Sequence, residues 1–278
     1  MKICQYVFFL TLNFTLMKYI QSITILLISI LSFTAHAQSN FKATYKLTYQ
    51  PDSTNEKNKE SEIFLLYVNN ELSKFLSYNN ALRDSIRLEI KKGNMTTEEI
   101  VQQTMSRPRT NFYVKINKIF QESRIENLHQ VTTELYRYYQ PLNLMDWTIG
   151  NQTKSINGYN CQKATTSYAG RDYVAWFDAE IPISDGPYKF YGLPGLIISV
   201  YDTQEHYKFD LVGLEKGNYE IKRNLVNEDY QLITEAEYKR MRENYNANAE
   251  AMAKRVFSQM DGNKKPKKSS ANNPIELE

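Results

Sequence analysis

The sequence predicts an α+β, mainly β protein: an antiparallel meander sheet, curved into a half-barrel and covered by an amphipathic C-terminal helix. Three observations lead there. Tyrosine dominates an aromatic-rich composition, 21 Tyr against 13 Phe and 2 Trp, and tyrosine favours strands with one half-wet face. Short segments of strand character follow one another through polar links, as in a meander. A sustained three-and-four periodicity appears only after residue 234.

Residues 41–49, Phe-Lys-Ala-Thr-Tyr-Lys-Leu-Thr-Tyr, alternate apolar and polar without a fault, the pattern of a strand with one buried face. Pro51 ends it. Residues 63–68 form a nearly continuous apolar strand. Further strands are expected at 112–116, 124–128, 132–139, 160–168, 173–178, 196–201, 207–211 and 219–225. Between 79 and 105 polar residues dominate, and Thr96-Thr97-Glu98-Glu99 has the form of a capping box, so part of this stretch is expected to be helical. Thr234-Glu235-Ala236-Glu237 repeats that box. Behind it Tyr238, Met241, Tyr245, Ala249, Met252 and Val256 make one apolar stripe, expected to lie on the sheet.

The N-terminus reads as an export signal. An apolar run at 20–33, flanked by Lys18 and followed by Ala35-His36-Ala37, has the length and small-residue site of a signal peptide. Residues 1–37 are assigned to it, with Met17 as the natural start and cleavage before Gln38. No membrane-spanning segment is expected after cleavage. The expected organisation is then one β-rich domain at 38–260 and a flexible Lys-rich tail at 261–278. Loss of Lys2 and Lys18 leaves 32 basic against 31 acidic residues, without the basic excess that nucleic-acid binding needs. Cys161 is the one cysteine after the signal, so no internal disulfide is possible.

Residues 178–195 interrupt the β pattern. Pro182, Pro187, Pro194, Gly186, Gly192 and Gly195 exclude regular structure between 182 and 195. Leu193-Pro194-Gly195-Leu196 fits a type II turn with positive φ at Gly195. The loop also carries Tyr188, Phe190, Tyr191 and Leu193, a large apolar load for a connection. On the strand before it, alternation places Val174 and Trp176 on one face and Tyr173, Ala175 and Phe177 on the other. A strand apolar on both faces is central in its sheet or lines a cavity.

Residues 176–183 (Trp-Phe-Asp-Ala-Glu-Ile-Pro-Ile), 186–190 (Gly-Pro-Tyr-Lys-Phe) and 192–197 (Gly192, Leu193, Pro194, Gly195, Leu196, Ile197) closely resemble the GLPGLI family, named for that last hexapeptide. Asp146-Trp147, residues 156–164 and the C-terminal Asn273-Pro274-Ile275-Glu276-Leu277 are similar to the same pattern. The resemblance implies an exported protein of a Gram-negative bacterium, periplasmic or associated with the cell envelope. It supplies no catalytic residues.

The residues themselves offer little catalytic chemistry. Cys161 lies in an alternating strand pattern that favours burial. His129 and His206 lack metal-ligand spacing, and no Gly-x-Ser-x-Gly elbow or phosphate loop is present. Asp172, Asp178, Glu180 and Asp185 cluster near the loop, where an acid and nucleophile pair could be chosen from them, but they read as solvated loop charges. No metal or cofactor is expected. The leading expectation is a non-enzymatic binding or carrier protein for an apolar small molecule, similar in architecture to periplasmic lipoprotein carriers. The loop 178–195 would be its rim, and Trp176, Tyr188, Phe190, Tyr191 and Leu193 its contacts. The alternatives are a module that docks an envelope protein and an enzyme centred on Cys161.

Overall fold

The structure, a computed structural model, describes residues 40–106, 110, 112–131, 134–223, 229–259 and 273–277. The expected export signal at 1–37 and the lysine run at 264–268 lie outside the described residues. From Asn40 onward the chain forms one compact unit. Its elements are β1 (Asn40–Tyr49), β2 (Glu60–Val68), β3 (Leu72–Ser77), α1 (Tyr78–Lys92), α2 (Thr97–Met105), β4 (Lys115–Ile119), β5 (Arg124–Val131) and β6 (Glu134–Pro141). Then follow β7 (Thr148–Ile156), β8 (Tyr159–Tyr168), β9 (Arg171–Asp178), β10 (Leu196–Asp202), β11 (Tyr207–Gly217), β12 (Gln231–Leu232) and α3 (Glu235–Gln259).

The protein is mainly β, as its composition and alternation predict. All twelve strands belong to one open, mixed sheet in the order β12-β6-β5-β4-β3-β2-β1-β11-β10-β9-β8-β7. Two sequential runs of strands meet where β1 pairs antiparallel with β11, and β12 adds a short parallel pair on β6. β1 sits in the middle because its alternation is complete: Ala43, Tyr45, Leu47 and Tyr49 are buried, while Lys46 is exposed and Lys42, Thr44 and Thr48 are half-buried.

Four strand assignments change, two of them the addition of β3 and of the two-residue β12. β7 was not expected, because its sequence TIGNQTKSI is polar and exposed on both faces of a sheet edge. The local signal lies just beyond it. Asn157 (φ 50°) and Gly158 (φ 87°) both take left-handed conformations between the paired residues Ile156 and Tyr159, as a type I′ hairpin requires. Conversely, the described part of the expected strand 219–225 is not a strand. It lies across β4 and β5 and is fastened by Arg223, whose Nε and Nη2 donate to the two oxygens of buried Glu126 at 2.9 Å each.

Both capping boxes form. Glu99 N donates to Thr96 Oγ1, and Glu237 N to Thr234 Oγ1. The first turn of α3 packs on the sheet, where Tyr238 stacks on His129 at 4.0 Å and on Tyr138 at 5.2 Å, whereas Tyr245, one repeat further along the stripe, is 51% exposed. No helix among the described residues is long and apolar enough to cross a membrane.

The His129 stack makes a pH-dependent contribution. Its Nε2 is closed off from solvent with no partner among the described residues. Burial first, then the charges of Lys189 and Arg242, push its pKa down to about 3. An unfolded histidine takes up its proton near 6.5, so between pH 6.5 and 3 the unfolded chain holds more protons and stability falls as pH falls. The expected loss is roughly 1–2 kcal/mol by pH 5. Denaturant melts of His129→Phe should lack that slope between pH 7 and 5; an identical slope in both proteins would remove His129 as its cause.

Candidate peptide-binding site

The loop between β9 and β10 is part of the core. Phe190 and Leu193 are 1% exposed, and Tyr188 is buried. Phe190 packs edge-on to Tyr173 of β9 at 4.9 Å and to Phe209 of β11 at 6.3 Å. From the other side, Lys118 of β4 reaches in to form a buried ion pair with Asp185, and it also donates to Gly186 O at 2.7 Å and Phe190 O at 3.0 Å. Burial pulls the Lys118 pKa down, and Asp185 opposes it. With three acceptors its ammonium is saturated.

The rest of the loop follows from turn chemistry. Gly195 has positive φ as expected, at 154°, but the turn is tighter than type II: Gly195 N donates to Leu193 O at 2.8 Å, a three-residue turn centred on Pro194. The structure divides the five expected ligand contacts. Tyr188, Phe190 and Leu193 are buried in the loop, and Tyr191 is half-buried, its carbonyl accepting from Trp147 Nε1. Trp176 is buried too, but strand alternation puts it on the face opposite Tyr173, with Lys154 Nζ 4.0 Å above its ring.

The other candidates also have structural partners. Cys161 is 1% exposed, its thiol faces Tyr159 O, and burial followed by the nearby Asp178 charge pushes its pKa up to about 11. His206 Nδ1 lies 3.3 Å from Arg171. Asp172 accepts from Ser167, Asp178 from the Glu180 backbone, and Asp185 from Lys118.

Sequence reasoning missed the densest constellation, which surrounds residues 273–277. Expected within the flexible tail, they lie against the fold with a bend at Ile275, with Asn273 and Ile275 buried, Pro274 and Glu276 half-buried and Leu277 52% exposed. Main-chain groups are read along the segment's length. Asn273 N donates to Pro51 O and Leu277 N to Ala169 O. Tyr207 OH donates to Asn273 O, Arg171 Nη2 to Pro274 O, and both Arg171 Nε and Tyr173 OH to Ile275 O.

Side chains are read as well. The Asn273 amide donates to Gln50 O at 2.8 Å and accepts from Arg171 at 2.6 Å. Glu276 Oε1 accepts from Lys189 at 2.6 Å, Tyr188 OH at 2.7 Å and Tyr168 OH at 3.0 Å. Burial alone would raise the Glu276 pKa, but Lys189 and the two hydroxyls hold it below the usual carboxylate value.

The reading groups are fixed from beneath. Arg171 is held by Asp202 at 2.9 Å, and the other oxygen of Asp202 accepts from Tyr207 N at 2.7 Å. Tyr188 adopts φ 54°, a left-handed conformation costly for an aromatic residue, and this backbone carries the hydroxyl that meets Glu276. The signal in the sequence was the similarity of Asn273-Pro274-Ile275-Glu276-Leu277 to the GLPGLI pattern, which marked the segment without placing it on the fold.

Residues 168–199 match a protein-family model. Its description is "Protein of unknown function (Porph_ging)". The matched segment carries Arg171, Tyr173, Tyr188, Lys189 and the whole loop, and leaves Tyr207 and 273–277 outside. No curated protein matches the chain. Among solved structures, PNGF-II in its C2 crystal form is similar with a TM-score of 0.51 and 14% identity over 73% of this chain and 32% of that one. The P21 form gives 0.49 and 15% over 74% and 33%. This chain therefore spans about a third of PNGF-II, and the likeness in the C2 form is one of fold alone.

Proposed function

We propose that this chain is an exported, non-enzymatic protein of the GLPGLI type, periplasmic or envelope-associated, which docks a protein partner through recognition of a short peptide segment. The observation that carries this reading is the groove at Arg171, Tyr173, Tyr188, Lys189 and Tyr207. Five successive residues are met there by main-chain or side-chain hydrogen bonds, as peptide-recognition sites meet their ligands. The carrier reading is less favoured, because an apolar ligand at Tyr188, Phe190 and Leu193 would have to displace close-packed side chains.

In this reading the sheet curves into a half-barrel around the loop. Phe190 is met by Lys118 of β4 and by Tyr173 of β9. These strands are six steps apart in the sheet, a separation of roughly 29 Å if the sheet were flat.

The test is to purify residues 38–278 from the exported fraction without detergent and apply excess synthetic Asn-Pro-Ile-Glu-Leu. A protein partner released by that peptide and not by its scrambled form is expected. Recovery of a bound lipid on denaturation, with no protein released by the peptide, would restore the carrier reading.

A further inference from the structure

We propose that the groove accepts, in trans, a segment of the form Asn-Pro-aliphatic-Glu from another exported polypeptide, and that residues 273–277 occupy it as a tethered competitor. This rests on the interaction reading above and names its ligand.

The ligand chemistry follows from what each position meets. The first residue must both donate to Gln50 O and accept from Arg171, which an asparagine amide does and a carboxylate cannot. Proline at the second loses nothing, since only its carbonyl is read. The third side chain is buried against the core and must be apolar. The fourth is a carboxylate whose Oε1 accepts from one ammonium and two hydroxyls; an amide there would lose the charge that pairs with Lys189. At the fifth only the backbone N–H is used, and the side chain is free to vary.

Part of the groove is anchored by groups outside the segment. Asp202 positions Arg171, and Tyr207 is anchored through its own backbone on the same carboxylate. Such pre-organisation lowers the cost of binding. The occupant is tied to α3 through thirteen residues, 260–272. Because the occupant belongs to the same chain its docking is intramolecular, so it holds the groove against a dilute ligand and yields to a partner that is abundant or multiply attached.

The test uses the mature chain with a protease site inserted between residues 266 and 267, cut so that the C-terminal piece can be washed away. Fluorescein-labelled Asn-Pro-Ile-Glu-Leu is then titrated by anisotropy into cut and intact protein. The cut protein should bind with micromolar affinity, and the intact protein at least 100-fold more weakly. Peptides with Ala at the first position or Gln at the fourth should each bind the cut protein at least tenfold more weakly. Glu276→Lys in the uncut chain sets its own segment against Lys189, and should restore binding without cleavage.

Equal affinity for all three peptides, or equal binding by cut and intact protein, would overturn the tethered-competitor account while leaving peptide recognition standing. Loss of the circular dichroism spectrum on removal of the cut piece would make residues 273–277 a structural strap and overturn the inference. Folded cut protein that binds no peptide would take the interaction reading down with it.

Discussion

Gly195→Val is expected to lower the melting temperature by about 10 °C or to prevent folding. A Cβ at Gly195 would stand 2.2 Å from Asp178 O and 2.8 Å from Ala179 Cα, backbone atoms that cannot swing aside. The residue also sits at φ 154°, which side chains rarely adopt. Clash and strain together should cost roughly 3–5 kcal/mol, and a chain of this size loses about 2–4 °C per kcal/mol. Gly192→Ala separates the two causes. Gly192 has φ 99° but nothing nearer than Trp147 at 3.9 Å, so it carries strain alone and should cost about 1 kcal/mol. Equal thermal shifts for the two variants would show that the approach to Asp178 does not matter.

Lys118→Met is expected to be as damaging, for a different reason. It would leave Asp185, 1% exposed, without the ammonium that compensates its charge and would strand the carbonyls of Gly186 and Phe190. Removing one member of a buried pair typically costs about 3–5 kcal/mol. Lys118→Met with Asp185→Leu removes both charges and should recover much of that loss, since an apolar pair of similar volume can replace a buried ion pair at little cost. Guanidinium melts of the two proteins check this. A double variant no more stable than the single one would mean that the three hydrogen bonds, and not the charge pair, hold the loop.

The mainly β character was legible because β1, β9 and β10 carry their burial pattern in the sequence. The loop was legible as irregular and apolar, and Gly195 as a positive-φ position. Whether those aromatics faced a ligand or one another was not, since alternation fixes the face of a strand residue and says nothing about a residue after Pro182. The groove was less legible still. Arg171, Tyr207 and Glu276 are far apart in the chain, and each alone reads as a solvated polar residue. β1 pairs with β11, bringing Gln50 beside His206, and only that long-range pairing brings the start of the domain to the ends of β9 and β11. Arg223 was hidden likewise, its fork on Glu126 closing across 97 residues.

Amide hydrogen exchange of the full mature chain tests the central claim most directly. Asn273 N and Leu277 N donate to Pro51 O and Ala169 O from the docked segment, and both amides should exchange orders of magnitude more slowly than an unstructured peptide. Exchange of both at unprotected rates, with β9 protected in the same sample, would place the segment outside the groove and contradict the account.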